Sequence, residues 1–303
     1  MRIVIAGAGI VGLSVAHALT RRGHCPTVIA MDQGFTASGA GIVSSQFWIK
    51  DLAELARRSQ EIIQELVPVN RCGMAQIALS ETQARLLKQV EGACEGIPDS
   101  LKEALSPQLI KRIEYAIYSI GDFWVSPPDL LAALARDTRI LQARIDTIDD
   151  GMVHTSLGDF PADYLILAMG PWAKARIDKH VTQLARVQAP LSTMVHILDT
   201  GIYLRPEGRG ALAGDGDTVW VGEPAPQTVT PAFLAHMDRE LAFVLRRPVK
   251  SEPVSAGIIA TTPDQRPIVR GQGRNWILTG FGGDGLALAP ALGEQVAEQI
   301  LQA

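Results

Sequence analysis

A glycine-rich turn follows directly on the first apolar segment of the chain. Residues 2 to 6 are predicted to form a strand, residues 10 to 22 a helix that Gly23 closes, and residues 27 to 31 a second strand. The turn between the first strand and the helix reads Gly7-Ala8-Gly9-Ile10-Val11-Gly12. Its glycines permit a tight turn, a close approach of backbone to a pyrophosphate and close packing of helix on strand. This order predicts a βαβ unit that binds a dinucleotide.

The acidic residue that such a unit uses to bind the adenosine ribose is missing from its usual position. Counting from Gly7 places Ala30 at the end of the second strand, with Asp32 two residues later. Either Asp32 reaches the ribose after a small shift of the loop, or backbone and water do that work. The alternative is that Asp32 is a solvated turn residue.

Composition and charge exclude several classes of protein. The chain has 303 residues, of which 47% are hydrophobic and 20% charged, and this predicts a globular protein large enough for two domains. A formal charge of -4 gives no excess of positive charge for a nucleic-acid partner. The first apolar run is too short and too interrupted for a membrane span or a signal peptide, so we expect a cytoplasmic protein. The three cysteines and six histidines share no metal-ligand spacing, which predicts no metal site.

Segments of the two expected domains alternate along the chain. Helices are predicted over residues 51 to 66, after a capping Ser80 and after a capping Ser126. An unbroken apolar strand over residues 163 to 168 is typical of a parallel sheet. Shorter strands predict an antiparallel meander, over residues 192 to 198, 202 to 204 and 218 to 222. We assign residues 1-48, 120-178 and 255-303 to the nucleotide domain and residues 49-119 and 179-254 to a substrate domain.

Another glycine-rich sequence, the closing glycine motif, opens the C-terminal helix. It reads Gly280-Phe281-Gly282-Gly283-Asp284-Gly285-Leu286. Consecutive glycines before a helix let backbone N–H groups and the positive helix end face a negatively charged ligand. The alternative is a mobile glycine hinge, which the apolar helix behind it and Pro290 disfavour.

Taken together, these motifs resemble the FAD-dependent oxidoreductase family of D-amino-acid oxidase, glycine oxidase and sarcosine oxidase. The resemblance covers nearly the whole chain. Its matching segments are the first glycine turn through His24, Ala37-Ser38-Gly39-Ala40-Gly41, Val125 to Leu130, Asp163 to Trp172, Tyr203 to Pro206, Thr262 to Ile268, and Gly280 to Pro290.

The resemblance implies an α/β fold, in which an antiparallel-sheet substrate domain is inserted into a Rossmann-type FAD-binding domain. It implies that FAD is bound by both glycine motifs, by Ser38, Gly39, Ala40 and Gly41, by a strand at Ile145 that passes the adenine, and by Ala168, Gly170 and Trp172. It further implies oxidation of a small amine or amino acid by hydride transfer to flavin N5, followed by hydrolysis of the imine. No side chain is nominated as a catalytic acid or base, because the cofactor supplies the chemistry.

Other functions remain open at this point. The electron acceptor is oxygen in an oxidase, whereas a dehydrogenase subunit passes electrons to a quinone, a dye or a partner chain. A non-catalytic flavin-binding subunit is a third alternative. A homo-oligomer or a partner subunit is compatible with the sequence.

The substrate pocket departs from the family. The family's carboxylate-binding arginine corresponds here to Ile259, whereas the substrate-binding tyrosine is present as Tyr203. Arg205 lies two residues further along the same strand, so both side chains share a face, and Arg205 is a candidate carboxylate anchor. Alternatively, Arg205 points to solvent and the pocket binds an uncharged amine.

Overall fold

A computed structural model describes residues 1–32, 34–149, 151–216, 218–219 and 228–302. Its helices are α1 (Ile10–Thr20), α2 (Lys50–Leu66), α3 (Glu81–Leu87), α4 (Asp99–Ala104), α5 (Pro107–Ile110), α6 (Pro127–Ala135), α7 (Pro231–Val244) and α8 (Gly285–Gln302), with 3₁₀ helices at Gly34–Ser38 and Gly170–Trp172.

The strands are β1 (Ile3–Ala6), β2 (Thr27–Ala30), β3 (Ile42–Val43), β4 (Asn70–Arg71), β5 (Met74–Ala78), β6 (Cys94–Glu95), β7 (Tyr115–Ser119), β8 (Phe123–Trp124), β9 (Arg139–Gln142), β10 (Ile145–Asp149), β11 (Met152–Thr155), β12 (Gly158–Pro161), β13 (Tyr164–Leu167), β14 (Asp178–Val187), β15 (Met194–Ile197), β16 (Tyr203–Glu207), β17 (Gly210–Gly214), β18 (Thr218–Val219), β19 (Glu252–Thr261), β20 (Ile268–Gln272) and β21 (Asn275–Thr279).

A mainly parallel sheet carries the nucleotide-binding half of the molecule. Its strand order is β20-β21-β13-β1-β2-β9, and only β20 runs antiparallel to its neighbour. Helices α1, α2, α6 and α8 pack together around the first hydrophobic core on this sheet. The central strands are apolar on both faces, as expected for a covered parallel sheet. The predicted α/β fold is confirmed.

A largely antiparallel sheet forms the second half. Its order is β18-β14-β17-β16-β15-β5-β7-β6, with β19 also paired to β14. One face of this sheet packs against α4, α5 and α7 in a second hydrophobic core. The predicted strand over residues 218 to 222 is present as β18, and residues 220 to 222 lie outside the described part of the chain.

Two predicted domain limits need correction. Helix α2 packs on α8, and its residues Leu52, Ala56 and Ile63 belong to the first core, so the limit after residue 48 falls too early. Strand β19 pairs along its length with β14, so residues 255 to 261 belong to the antiparallel sheet. In both cases the amphipathic pattern identified the element but not the surface on which it packs.

The predicted helix starts agree with the structure. Ser80 Oγ accepts a hydrogen bond from the Gln83 amide, and Ser126 Oγ accepts one from the Asp129 amide. Each serine caps the helix that follows it, as the short polar side chain before a periodic apolar segment indicates.

Candidate active site

The first glycine turn joins β1 to α1 with backbone that leaves no room for a side chain at Gly7 or Gly12. Gly7 has a φ of +112°, and a Cβ there would lie 2.2 Å from the Ala168 carbonyl oxygen. A Cβ on Gly12 would lie 2.0 Å from the Gly7 carbonyl oxygen. Gly9 is the N-cap of α1, and the first turn of this helix contains no acidic residue. The helix N-terminus can therefore receive an anion such as a pyrophosphate.

Residues of this turn differ in their surroundings. Ala8 and Ile10 are buried, and Val11 packs on the same first core. The Ile10 amide donates to Thr36 Oγ1 at 3.3 Å. Thr36 was not predicted as a site residue. Its position one residue before Ala37-Ser38-Gly39 is the sequence feature that could have identified it. Its hydroxyl adds a side-chain donor beside the helix N-terminus.

The two residues predicted to lie near the adenosine have local structural roles. Asp32 is exposed, and its carboxylate accepts a hydrogen bond of 2.7 Å from the Gly34 amide, which closes a turn after β2. Ile145 begins β10 and packs its side chain against the core formed by Val4 and Ile29. Contacts of Asp32 and Ile145 with a ribose or an adenine remain predictions.

The second glycine loop runs from Ser38 to Gly41 and leads into β3. The Ser38 carbonyl accepts a hydrogen bond of 2.8 Å from Ser255 Oγ on β19. Gly41 has a φ of +76°, and a Cβ there would lie 2.1 Å from the Val125 carbonyl oxygen. Between them, Gly39 is exposed and Ala40 is half-buried. The loop is held at both ends and presents Gly39 outward.

A buried carboxylate fixes the segment that follows this loop. Asp122 is fully buried, and its oxygens accept hydrogen bonds from Ser44 Oγ (2.8 Å), the Ser45 amide (3.0 Å), Gln46 Nε2 (2.6 Å) and Gln60 Nε2 (2.9 Å). These donors belong to the loop after β3 and to α2. A buried charge with this many donors is stabilised without a counter-ion and orders the groups around it. Asp122 could not be recognised from the sequence, because its partners are distant along the chain.

The end of β13 approaches the first glycine turn. The Ala168 amide donates to the Ala6 carbonyl at 2.8 Å, and the Gly170 carbonyl accepts a hydrogen bond of 2.7 Å from Thr279 Oγ1. Trp172 is 58% exposed and stacks on Phe35 with ring centroids 5.6 Å apart. These residues therefore link β13 to β1, to β21 and to the 3₁₀ helix before the second loop.

The closing glycine motif is partly occupied by hydrogen bonds within the protein. Gly280 and Gly282 have φ values of +75° and +57°, and the Gly282 amide donates to the Ala260 carbonyl at 2.8 Å. The expectation that this amide faces a ligand is therefore wrong. Gly283 is exposed and has no atom within 4 Å of the place a Cβ would take. Gly283 is therefore the position in the motif where the backbone is open.

Three further residues of the motif surround this point. Gly285 and Leu286 begin α8 and are buried, and a Cβ on Gly285 would lie 3.2 Å from the Ile10 side chain. The two glycine motifs therefore meet. Asp284 retains solvent access, yet the surrounding protein desolvates its carboxyl and raises its pKa to about 6. This combination is typical of a group that lines a cleft.

The antiparallel sheet turns a row of side chains toward the second glycine loop. His196 pairs with Gln76 on one side and Tyr203 on the other, and Tyr203 pairs with Gly214. Their neighbours along each strand pack in the second core, so this row occupies the opposite face. The Tyr203 and His196 rings meet edge to face, with centroids 6.3 Å apart. Tyr203 thus lies where a substrate-binding residue is expected, and His196 beside it was missed, because strand register was not available from the sequence.

Arg205 lies one row further along the same face and is not exposed. Its side chain is 5% exposed, and Nη2 is 3.1 Å from Glu207 Oε1 while Nη1 donates to the Pro206 carbonyl at 3.2 Å. Cζ of Arg205 lies 4.0 Å from the centroid of the Trp124 ring. The alternative in which Arg205 points to solvent is therefore wrong. Its proposed contact with a substrate carboxylate remains a prediction.

The sequence that carries these motifs matches a protein family over nearly its whole length. The model of the family described as FAD dependent oxidoreductase matches residues 2–299. The chain belongs to this family. Its cofactor is accordingly FAD, and the predicted enzyme class is confirmed.

Individual members of the family are similar at low sequence identity. The tRNA 5-methylaminomethyl-2-thiouridine biosynthesis bifunctional protein MnmC of Hahella chejuensis is 24% identical over 98% of this chain, which spans only 56% of that protein. Glycine oxidase of Geobacillus kaustophilus is 25% identical over 69% of this chain and 68% of its own length. Its crystal structure superposes on 99% of this chain and 94% of its own with a TM-score of 0.81 and 22% identity. The crystal structure of L-proline dehydrogenase from P. horikoshii covers 99% of this chain and 93% of its own, with a TM-score of 0.87 and 23% identity.

The residues present fit an FAD molecule. Gly7 and Gly12 allow α1 to begin against the end of β1, and Gly9 provides a helix start without a side chain over it. Gly283 gives open backbone at the start of α8. The first turn would hold the pyrophosphate, and the closing motif would approach the flavin ring.

Two other kinds of feature are absent from the described ranges. No group of three or more histidine, cysteine, aspartate or glutamate side chains there is placed to hold a metal ion. No helix among the same residues combines the length and the apolar character that crossing a bilayer requires.

Proposed function

We propose that the protein uses FAD to oxidise the C–N bond of a small amine or amino acid to an imine, which water then hydrolyses. The observation that carries this proposal is the position of Tyr203 and His196, deep in the molecule yet accessible, on the sheet face that meets the second glycine loop. When bound, FAD supplies the acceptor for the hydride equivalent. The protein supplies a polar wall that orients the substrate.

The names of the similar proteins support an amine or amino acid as substrate. Glycine oxidase and L-proline dehydrogenase are both named for an amino acid that they oxidise. The name of the Hahella protein refers to a methylaminomethyl group, although this chain corresponds to only part of that protein. All three names therefore refer to a compound or group that contains a C–N bond.

The geometry favours an amine over an amino acid within this class. Ile259 stands where the family's carboxylate-binding arginine is expected, and it offers no charge. The cationic side chain of Arg205 lies on the same strand as Tyr203, but it already pairs with Glu207 and lies over the ring of Trp124. A substrate carboxylate would have to compete with Glu207 for the guanidinium.

Transfer of the electrons to an acceptor other than oxygen is the second candidate function. The observation that favours it is the similarity over 99% of this chain to a protein described as a dehydrogenase, at a TM-score of 0.87. Oxidase and dehydrogenase differ in their acceptor and share the oxidation of substrate, so the wall formed by Tyr203 and His196 serves both.

An anaerobic reduction experiment tests these functions. FAD-loaded protein is mixed without air with a panel of amines, amino acids and hydroxy acids, and the visible flavin absorbance is followed. Bleaching by amines or amino acids, but not by hydroxy acids, is the expected result. Rapid recovery in air identifies an oxidase, and recovery only with a quinone or dye identifies a dehydrogenase. Absence of bleaching with every compound would leave the non-catalytic subunit as the function.

A further inference from the structure

The row of side chains on the inner sheet face contains two polar groups without protein partners. Among the described residues, no hydrogen bond or ion pair engages the ring nitrogens of His196 or the hydroxyl of Tyr203. Both side chains retain solvent access although they lie deep in the molecule. Polar groups at such depth are usually satisfied within the protein, so this pair indicates a ligand.

Hydrogen bonds at both ends of the row fix it over the second glycine loop. At one end, Ser255 Oγ on β19 donates to the Ser38 carbonyl at 2.8 Å. At the other end, Gln46 Nε2 donates to the Met74 carbonyl on β5 at 3.0 Å. Residues 38 to 46 therefore pass beneath the sheet, from β19 to β5, and the strands of Tyr203 and His196 lie between these two. The two side chains face the loop that the FAD motif forms.

The surroundings of His196 carry no charge, whereas two charged residues lie near Tyr203, Asp215 and Arg205. Burial lowers the pKa of the His196 imidazole to about 4, so the ring is neutral near pH 7, and no charged group contributes to this shift. Burial also raises the pKa of the neighbouring Tyr203 phenol, on which the charges of Asp215 and Arg205 act in opposite directions, and the phenol stays protonated. On the other side of His196 lies Gln76, which is neutral, and residues 38 to 46 contain no titratable side chain. The part of the site around His196 therefore disfavours a bound cation and favours a neutral hydrogen-bond donor.

We propose that a ring nitrogen of His196 accepts a hydrogen bond from the N–H of the bound amine, so that the protein selects primary and secondary amines over tertiary amines. This inference rests on the proposed function. A neutral imidazole has one nitrogen that can accept, and a tertiary amine in its neutral form has no N–H to donate. A neutral nitrogen also keeps the lone pair that forms the C=N bond of the imine.

The test compares two amines that differ only in this N–H. N-methylpropylamine and N,N-dimethylpropylamine are mixed anaerobically with the FAD-loaded protein, and the concentration that gives half-maximal bleaching rate is measured for each. In the unmodified protein we expect the secondary amine to act at about a tenfold lower concentration, which corresponds to one hydrogen bond. His196→Phe should remove this preference, and His196→Gln, which keeps an acceptor, should retain most of it. His24→Gln, in the turn after α1, serves as the matched control and should leave it unchanged.

A binding measurement separates recognition from turnover. tert-Butylamine has no hydrogen on its α-carbon and cannot form an imine, so its perturbation of the flavin spectrum reports binding alone. We expect its Kd to rise about tenfold in His196→Phe and to change little in His196→Gln. FAD content and Tm of each variant confirm that the protein is folded.

The outcomes are distinct. Bleaching by no amine in the unmodified protein overturns this assignment, and bleaching by neither amines nor amino acids overturns the proposed function as well. Bleaching with equal or better use of the tertiary amine overturns the role of His196 alone. An unchanged preference in His196→Phe does the same. If His196→Phe fails to retain FAD, the His196→Gln variant and the ratio in the unmodified protein decide.

Discussion

The guanidinium of Arg205 lies over the indole ring of Trp124, with Arg205 Cζ 4.0 Å from the ring centroid. Trp124 belongs to β8 beside the second glycine loop, whereas Arg205 belongs to the antiparallel sheet. This contact joins the two halves of the molecule. Glu207, on the same strand as Arg205, forms an ion pair with the guanidinium. Such a contact stabilises a buried cation through the face of the ring.

The first prediction concerns this contact. Arg205→Leu should lower the free energy of unfolding by about 1 to 3 kcal/mol, because Glu207 and Trp124 lose their partner. It should change the KM for an amino acid and for an amine of similar size by the same factor. Thermal unfolding and steady-state kinetics measure both effects. Arg186→Leu removes the other, more exposed partner of Glu207 and is the control. A KM increase for the amino acid alone would show that Arg205 binds the substrate carboxylate.

The second prediction concerns cofactor retention. Gly9→Val should abolish retention of FAD, since a side chain at the N-cap of α1 would occupy the place of the pyrophosphate. The backbone at Gly9 is extended, with φ -76° and ψ -177°, so the substitution strains no backbone torsion. Mass analysis of released cofactor and circular dichroism are the measurements. Gly121→Val, in an exposed turn, should retain FAD. A yellow, folded Gly9→Val protein would contradict the pyrophosphate site.

The third prediction concerns the closing motif. Gly283→Val should lower the flavin reduction potential or the FAD content, because a branched side chain would cover the open backbone before α8. Gly282→Val should have a larger effect on folding, since Gly282 has a φ of +57° and a β-branched residue is strained there. Redox titration and cofactor content distinguish the two variants. If Gly283→Val changes neither quantity, the motif does not approach the flavin.

The fourth prediction concerns the buried carboxylate. Asp122→Asn places an amide donor against groups that already donate, and should lower the free energy of unfolding by about 2 to 3 kcal/mol. We also expect weaker FAD binding, because the segment from Ser44 to Gln46 loses its fixed acceptor. Chemical denaturation and FAD titration measure these effects. Asp129→Asn, at an exposed position in α6, should change neither by as much.

The fifth prediction concerns pH. The folded-state pKa of His196 is about 4 and its usual value is 6.5, so between these values the unfolded state binds more protons than the folded state. Stability from this group is fully present above pH 6.5 and is lost as the pH falls to about 4. The loss is about 3 kcal/mol, from about two and a half pKa units at 1.36 kcal/mol each. His196→Gln should flatten the stability curve in this window. The free energy of unfolding is measured by denaturant titration at several pH values. If its pH dependence is the same in His196→Gln as in the unmodified protein, His196 is not buried as a neutral ring.

The sequence predicted the elements that depend on local pattern. The glycine turn before α1, the capping Ser80 and Ser126, and the amphipathic helix α2 each follow from residues close together in the chain. The pairing of Arg205 with Glu207 was also available, since residues two apart on a strand share a face. The same rule relates Arg205 to Tyr203 in the other direction along the strand.

Non-local contacts could not be predicted. The position of His196 beside Tyr203 depends on the register of β15 on β16, which no short motif specifies. The side of the molecule on which α2 packs, and the sheet to which β19 belongs, were assigned wrongly for the same reason. Cellular location and the contacts of Asp32 and Ile145 with the cofactor stay predictions.

The Asp122 carboxylate has a consequence for the order in which the protein assembles. Its side-chain donors are 62 to 78 residues away along the chain, so closing these loops costs entropy before any of the hydrogen bonds can form. Strands β1 and β2 are joined by only the first glycine turn and α1, so their pairing closes a shorter loop and can form earlier. We therefore expect the newly made chain to form this first βαβ unit early and to become competent for its substrate only when Asp122 has engaged its donors.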